Sequence, residues 1–398
     1  MSLSDQTRDS AIIFLYTEIG RGHPSYLDGI VRKMKSDYPH AKFSITNVFD
    51  LSRGLSLQAW KFVRFLYRFG SRGGIITSLY TSLRKILGGN SRDGVLVKLL
   101  GRDLRASFTC YKGIVVVAHP LLADILGPQN KVMYQHGEFA VPEEAIPRRC
   151  HKIFVPDEAA ANIFLSQDIP EAIVCITGQC IDDRIAASAA AAYEARIQRF
   201  HDKKPLTAGL FTSGATPGPH IQILLSAAKA LSRANHRIFL FTSLSKVFFA
   251  RARTFFKTTG ITYSVYPDMS QPVCLIHCQS REEEDAVCAE IFSSLDFFIA
   301  PAHERAHWSV GLGLPQLLCC PHIGTFSPLN ASRVLDQGVG IEIRTSRDAE
   351  KLDDLINELQ QTGRLTEMAK KGYHPDSLNG FAVCAEHIFT SAAKLPET

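Results

Sequence analysis

The chain has 398 residues, 45% hydrophobic and 21% charged, with a mean hydropathy of +0.00 and a formal net charge of +5. That length exceeds one ordinary core, so two domains are expected. The composition excludes wholesale disorder. No apolar run approaches the roughly 20 residues of a membrane span. Residues 1–10 lack a secretory signal pattern, so a cytoplasmic protein is expected.

Strand-like and helix-like runs alternate from the start. Ala11–Tyr16 reads as a strand, Pro24–Ser36 as a helix and Phe43–Val48 as a strand. A basic, aromatic stretch follows, and then strands at Gly113–Ala118, Lys131–Gln135 and Lys152–Val155. Asp157–Ser166 has the cap and period of a helix, and Ile173–Thr177 reads as a strand. Ala186–His201 is alanine-rich and helical. Residues 202–205, Asp-Lys-Lys-Pro, break it and read as a domain boundary. The alternation then restarts, with strands at Leu206–Phe211, Arg237–Thr242, Leu295–Ala300 and Leu314–Cys319 between helical stretches. The pattern predicts α/β architecture with parallel sheets. The expected division is 1–200, 205–375 and a C-terminal helix, 376–398, that could cross back to the first domain.

The ten cysteines form no CxxC pair, and several lie inside apolar runs, as buried reduced thiols do. Cys274, His277 and Cys278 alternate as a strand does rather than as a zinc site.

Five stretches carry candidate chemistry. After the first strand come Gly20, Gly22 and His23, opening a helix whose free N–H groups suit an anion. His23 could hold a phosphate or take a proton from a hydroxyl, with Glu18 as a group to orient it. Ser213 and Gly214 open the second half in the same strand–loop–helix position, suited to a diphosphate. His303, Glu304, Arg305, His307 and Trp308 follow another strand end, where doubly wound sheets bind ligands, and run into a Gly313-Leu314-Pro315 turn. His136 and Glu138 follow a fourth strand and could line the cleft from the N-terminal side as further catalytic candidates, His136 being the rival base to His23. Residues 60–69 place Lys61, Arg64 and Arg68 on one helical stripe among aromatic residues. Between Arg53 and Arg105 there are eleven lysines or arginines against two aspartates. This points to an anionic surface or lid function for that segment. No nucleic-acid module surrounds it.

Together, the strand–Gly-x-Gly-His–helix start, the Ser/Gly loop opening the second half, and Gly313-Leu314-Pro315 followed by Asn330 resemble a family. They are similar to the GT-B glycosyltransferases acting on lipid acceptors: the diacylglycerol glycosyltransferases and the lipid-linked N-acetylglucosaminyltransferase of peptidoglycan synthesis. The resemblance implies two doubly wound Rossmann-like domains facing each other across a cleft. It implies transfer from a nucleotide-diphosphate sugar, such as a UDP-sugar, to a hydrophobic or lipid-linked hydroxyl acceptor, with no metal and no organic cofactor. Peripheral association with the inner face of the membrane is a further expectation. Gly20, Gly22 and His23 would lie near the transferred sugar and acceptor, and Ser213 and Gly214 at the diphosphate. The loop from His303 through Glu304, Arg305 and His307 to Trp308 would face the nucleotide, and Asn330 the donor sugar.

One departure stands out. Five residues before Gly313, where these transferases carry a ribose-binding glutamate, the chain has Trp308; the nearest carboxylate is Glu304. Two other classes therefore stand beside transfer: a nucleotide-sugar epimerase or hydrolase, and a non-catalytic protein that binds a ligand or partner.

Overall fold

The computed structural model describes residues 3, 10–17, 19, 22–70 and 94–395. Gly20, with Glu18, lies outside the described residues, as do residues 71–93 of the basic segment and the side chain of Arg68.

The chain folds into two packed units. Described residues up to 180, together with 379–395, form the first, and residues 181–378 the second. The first holds six strands: β1 (Ile12–Tyr16), β2 (Phe43–Asn47), β3 (Ile114–Val117), β4 (Lys131–Gln135), β5 (Lys152–Val155) and β6 (Val174–Ile176). The second holds seven: β7 (Thr207–Leu210), β8 (Arg237–Phe241), β9 (Tyr263–Val265), β10 (Val273–Ile276), β11 (Phe297–Ala300), β12 (Gln316–Cys319) and β13 (Gly340–Ile343). All these strand pairings are parallel. β1, β3, β10, β11 and β12 are buried along their whole length, because helices cover both faces.

Strand order is what positions chemistry. The first sheet runs β2-β1-β3-β4-β5-β6 and the second β13-β12-β11-β7-β8-β10-β9. In each, the unit's first strand sits between its successor and a later strand, so connections leave it in opposite directions. These are topological switch points, between β1 and β3 and between β7 and β11. The loops at their carboxyl ends diverge there and leave room for a ligand.

The helix Asp183–Asp202 belongs to the second unit; the sequence pattern placed the break after it. Its buried face includes Ala189, Ala192 and Arg196. The Arg196 guanidinium donates to the carbonyls of Leu295, Leu312 and Gly313 at 3.0–3.1 Å. It thereby anchors the Gly-Leu-Pro turn. Gly313 has φ +60°, and a Cβ there would lie 2.6 Å from the Ala369 carbonyl. A side chain at this position is excluded by conformation and by space.

The last helix, Gly380–Ala393, packs on the Gly22–Asp37 helix of the first unit. Phe381 lies against Gly29, Phe389 stacks on Tyr38 at 4.2 Å, and the Cys384 thiol donates to Gln135 Oε1 at 2.9 Å. No described helix is long and apolar enough to cross a membrane.

Candidate functional site

At the first switch point the helix after β1 starts at Gly22, so His23 stands in its first turn. The chain after β3 turns at His119, which caps the helix Pro120–Leu126 by accepting the Leu121 N–H on Nδ1 at 3.2 Å. That bond requires an unprotonated Nδ1, so the His119 ring carries its proton on Nε2. Because β1 and β3 are neighbours, the two imidazoles meet, with ring centroids 4.9 Å apart. Glu138, 9% exposed, approaches the same helix start. A Cβ added at Gly22 would lie 3.4 Å from its Oε1. A carboxylate there is favoured by the helix dipole. Its loop lies close because Gly137 has no side chain; a Cβ would come 2.4 Å from the Tyr26 ring.

His136 has a different place. It is 2% exposed, with Tyr134 Oη 3.1 Å from Nδ1 and the Ala140 carbonyl 3.0 Å from Nε2. A carbonyl only accepts, so Nε2 donates to Ala140 and Nδ1 accepts from Tyr134. Both ring nitrogens are engaged within the protein, which makes His136 a brace for its loop. His119 was missed in the sequence because a lone His-Pro pair has no pattern; only strand adjacency brings it to His23.

At the second switch point, residues 211–213 after β7 meet residues 300–301 and 303–305 after β11. They line a narrow cleft with a cavity volume of about 10 Å³. That is far below the roughly 300–1,000 Å³ of whole-ligand pockets. A larger open groove, lined by Gln222, Ala250, Arg251 and Phe255 among others, lies on the flanking helices away from the strand ends. Ser213 borders the smaller cleft, and Gly214 follows it in the exposed part of the loop. Arg305, 7% exposed, is clamped by two carboxylates. Its guanidinium lies 2.7 Å from Glu284 Oε1 and 3.2 Å from Glu304 Oε1, and 4.5 Å over the Phe211 ring. Glu284, 0% exposed, comes from the helix Arg281–Ile291 and gave no signal among its acidic neighbours.

Only the first part of the stretch 303–308 borders the cleft. A helix begins at Ala306, and its turn carries His307 and Trp308 inward. Trp308 packs edge-on against Phe211, Phe292 and Phe298, with centroids 5.4–5.7 Å away. This corrects the expectation that the indole faces a nucleotide: it is core. Asn330 is fully buried, and its amide donates to the Ala302 carbonyl at 3.4 Å, bracing the loop after β11.

Two helix starts adjoin this end of the sheet without side-chain caps: Gly218–Arg233 after β7 and Phe326–Asp336 after β12. His220 Nε2, 2.9 Å from the Pro321 carbonyl, ties the first to the loop before the second. Thr212 Oγ1, Thr325 Oγ1, Ser327 Oγ, His220 Nδ1 and Arg305 Nε are buried and lack a hydrogen-bond partner. Each such group costs about 1–3 kcal/mol if left unpaired. Uncapped helix starts with orphaned hydroxyls are what an anion would satisfy.

Burial pushes the His303 imidazole below its usual range, with Glu304 opposing. Burial likewise pushes His220 down, to about 4, against the Pro321 hydrogen bond. The unfolded chain takes up this proton near pH 6.5, whereas the folded chain excludes it until about 4. Stability is therefore full above the unfolded value and declines as pH falls through this window, by on the order of 3 kcal/mol. Urea unfolding between pH 7 and 4.5 should show a flatter slope in His220→Gln than in wild type; equal slopes would remove His220 as the cause.

No protein-family description matches the sequence, and no curated protein matches it. Solved structures do match in fold. S. aureus MnaA, solved with UDP, has a TM-score of 0.57 at 13% identity, covering 97% of this chain and 98% of that one. The UDP-GlcNAc 2-epimerase of Neisseria meningitidis, bound to UDP-GlcNAc, has 0.54 at 13%, covering 96% and 100%. UGT71G1 of Medicago truncatula, with UDP-glucose, has 0.52 at 11%, covering 98% and 100%. With the two doubly wound sheets, these likenesses establish the GT-B fold.

Proposed function

We propose that the protein is a glycosyltransferase that moves a sugar from a nucleotide-diphosphate sugar to a hydroxyl acceptor. The observation that carries this is the second switch point, where partnerless buried hydroxyls and the Arg305 Nε adjoin two helix starts without side-chain caps. The leaving diphosphate is stabilised there by N–H groups and hydroxyls, without calling on a metal. Glu304, half-buried and paired with Arg305, is the carboxylate on this loop that would meet ribose hydroxyls in place of Trp308. The structural neighbours solved with UDP, UDP-GlcNAc and UDP-glucose support a uridine nucleotide. On the first unit, His23 is the base that takes the acceptor's proton, with Gly22 beside it; Glu138 and His119 position it.

An epimerase reading has its own support in the likeness to the N. meningitidis enzyme and in the carboxylate against Gly22, at the start of the helix that carries His23. The two separate by acceptor dependence. A transferase releases UDP only when a hydroxyl acceptor is present, whereas an epimerase changes the sugar without one. A panel of nucleotide-sugars should first raise the melting temperature, since a ligand of the native state stabilises it. No shift with any member at millimolar concentration would set both readings aside in favour of a non-catalytic protein.

The acceptor is proposed to be lipid-linked, reached from an anionic membrane surface. The helix Gly54–Gly70 turns Leu55, Phe62 and Phe65 outward, 51–67% exposed, with Lys61 beside them. Trp60 Nε1 donates to the Leu100 carbonyl and fixes this helix to Val95–Phe108, which exposes Val95 and Leu96. Arg64 lies over the Phe49 ring at 4.3 Å. Exposed aromatic residues with flanking cations are the pattern of an interfacial helix. Each cation near the surface contributes about 1 kcal/mol. Replacing Lys61, Arg64 and Arg68 by alanine should weaken binding to anionic vesicles about tenfold or more. Unchanged sedimentation with such vesicles would favour a soluble acceptor.

A further inference from the structure

At the edge of the second unit's sheet, Cys320 and His322 follow β12, and Glu342 lies on β13, which pairs with it. Their side chains converge. His322 Nε2 is 3.0 Å from Glu342 Oε1 and 3.7 Å from Cys320 Sγ, and the three ligand atoms lie within 4.8 Å of one another. We propose that Cys320, His322 and Glu342 bind a divalent cation of the zinc class.

The geometry suits that ion. Tetrahedral zinc has Zn–S of about 2.3 Å and Zn–N or Zn–O of about 2.0–2.2 Å. Its ligand atoms therefore stand roughly 3.3–3.6 Å apart, within a few tenths of an ångström of the two separations observed. Sulfur, imidazole and carboxylate are the donor types zinc takes, and three protein ligands leave one position for water or an anionic oxygen. The site is also braced. Arg344 donates to Glu342 Oε2 at 3.0 Å, leaving Oε1 to the cluster and holding the carboxylate's orientation. Without an ion, the same groups form an Arg344–Glu342–His322 network that the Cys320 thiol joins by a hydrogen bond, so metal uptake is what separates the two. The ligands are partly buried, with side-chain exposures of 16% for His322 and 22% for Glu342, so an ion can enter. Bound there, it would clip the loop before the Phe326–Asp336 helix to β13. It would thus hold the start of that helix, which the donor reading uses.

The test reads metal uptake, so it stands or falls apart from any sugar-transfer activity. Full-length protein stripped with a chelator should take up one cobalt(II) per chain with a tetrahedral spectrum and a sulfur-to-metal charge-transfer band. Zinc should displace it. Cys320→Ser should abolish the band, and His322→Gln should weaken uptake by more than the about 10–100-fold typical of losing an outer-shell partner. Cys175→Ser is the control: its thiol lies 3.2 Å from His387 Nε2, elsewhere in the fold, and the band should persist. X-ray absorption of the zinc-loaded wild type should show one sulfur and two or three nitrogen or oxygen neighbours, whether or not the variants fold. Failure to take up stoichiometric metal, a shell without sulfur, or an unchanged band in Cys320→Ser would each overturn the site and leave an ion-pair network only.

Discussion

His23→Ala is expected to cut turnover by at least about a hundredfold while leaving nucleotide binding and the melting temperature nearly unchanged. General base catalysis contributes about 10²–10⁴-fold, which sets that scale. A sugar hydroxyl needs its proton removed as the new bond forms, and an imidazole near neutrality is matched to the task. His23 is only half-buried, so its loss opens no cavity. Steady-state kinetics and UDP calorimetry on the same preparation decide the matter. A variant keeping more than about a tenth of wild-type turnover would move the base to Glu138 or His119, and His119→Ala would tell which.

Arg305→Ala should lower stability by about 3–5 kcal/mol, because it removes a cation paired at 2.7 Å with the buried Glu284 carboxylate. For a unit of this size, one kcal/mol moves the midpoint by about 2–4 °C, so the drop is on the order of 10 °C. The effect is not a measure of what the pair contributes. Replacing both partners with apolar residues, Arg305→Met with Glu284→Leu, should recover most of the loss, because a buried pair and its apolar replacement are often close in energy. Arg305 also stacks on Phe211 and borders the cleft, so the recovered double variant should fold yet bind nucleotide poorly. Calorimetric scans of both variants are the check. A single variant melting within about 2 °C of wild type, less than one kcal/mol on that scale, would mean that solvent reaches Glu284. A double variant that binds UDP normally would remove Arg305 from the donor site.

Much of this protein was legible in its sequence, for physical reasons. Apolar runs bounded by glycine and polar residues mark buried parallel strands, so two doubly wound units and most of their strands could be read directly. Ligand loops of such sheets follow strand ends. For that reason the strand-end positions of Gly22 and His23, of Ser213 and Gly214, and of His303 to Arg305 could be read without coordinates. Composition also gave away the amphipathic helix near residue 60, although which face points outward depended on its packing with Val95–Phe108.

Tertiary structure decided which of these loops become neighbours. Strand order is a long-range property: β1 meets β3 across about a hundred residues and β7 meets β11 across about ninety. His119 at His23, Glu284 at Arg305, and Glu342 at Cys320 and His322 are consequences of that order, and no local pattern encodes them. Direction was equally undetermined. His136, His307 and Trp308 share composition and position with cleft residues, yet a brace to Ala140 and one turn of helix point them into the protein. The helix Asp183–Asp202 looked like the end of the first half because proline and lysines follow it. It packs with the second because Arg196 finds its carbonyl partners there. Chain pattern specifies elements, since periodicity and burial are local; partners follow from which buried surfaces and polar groups satisfy one another in three dimensions.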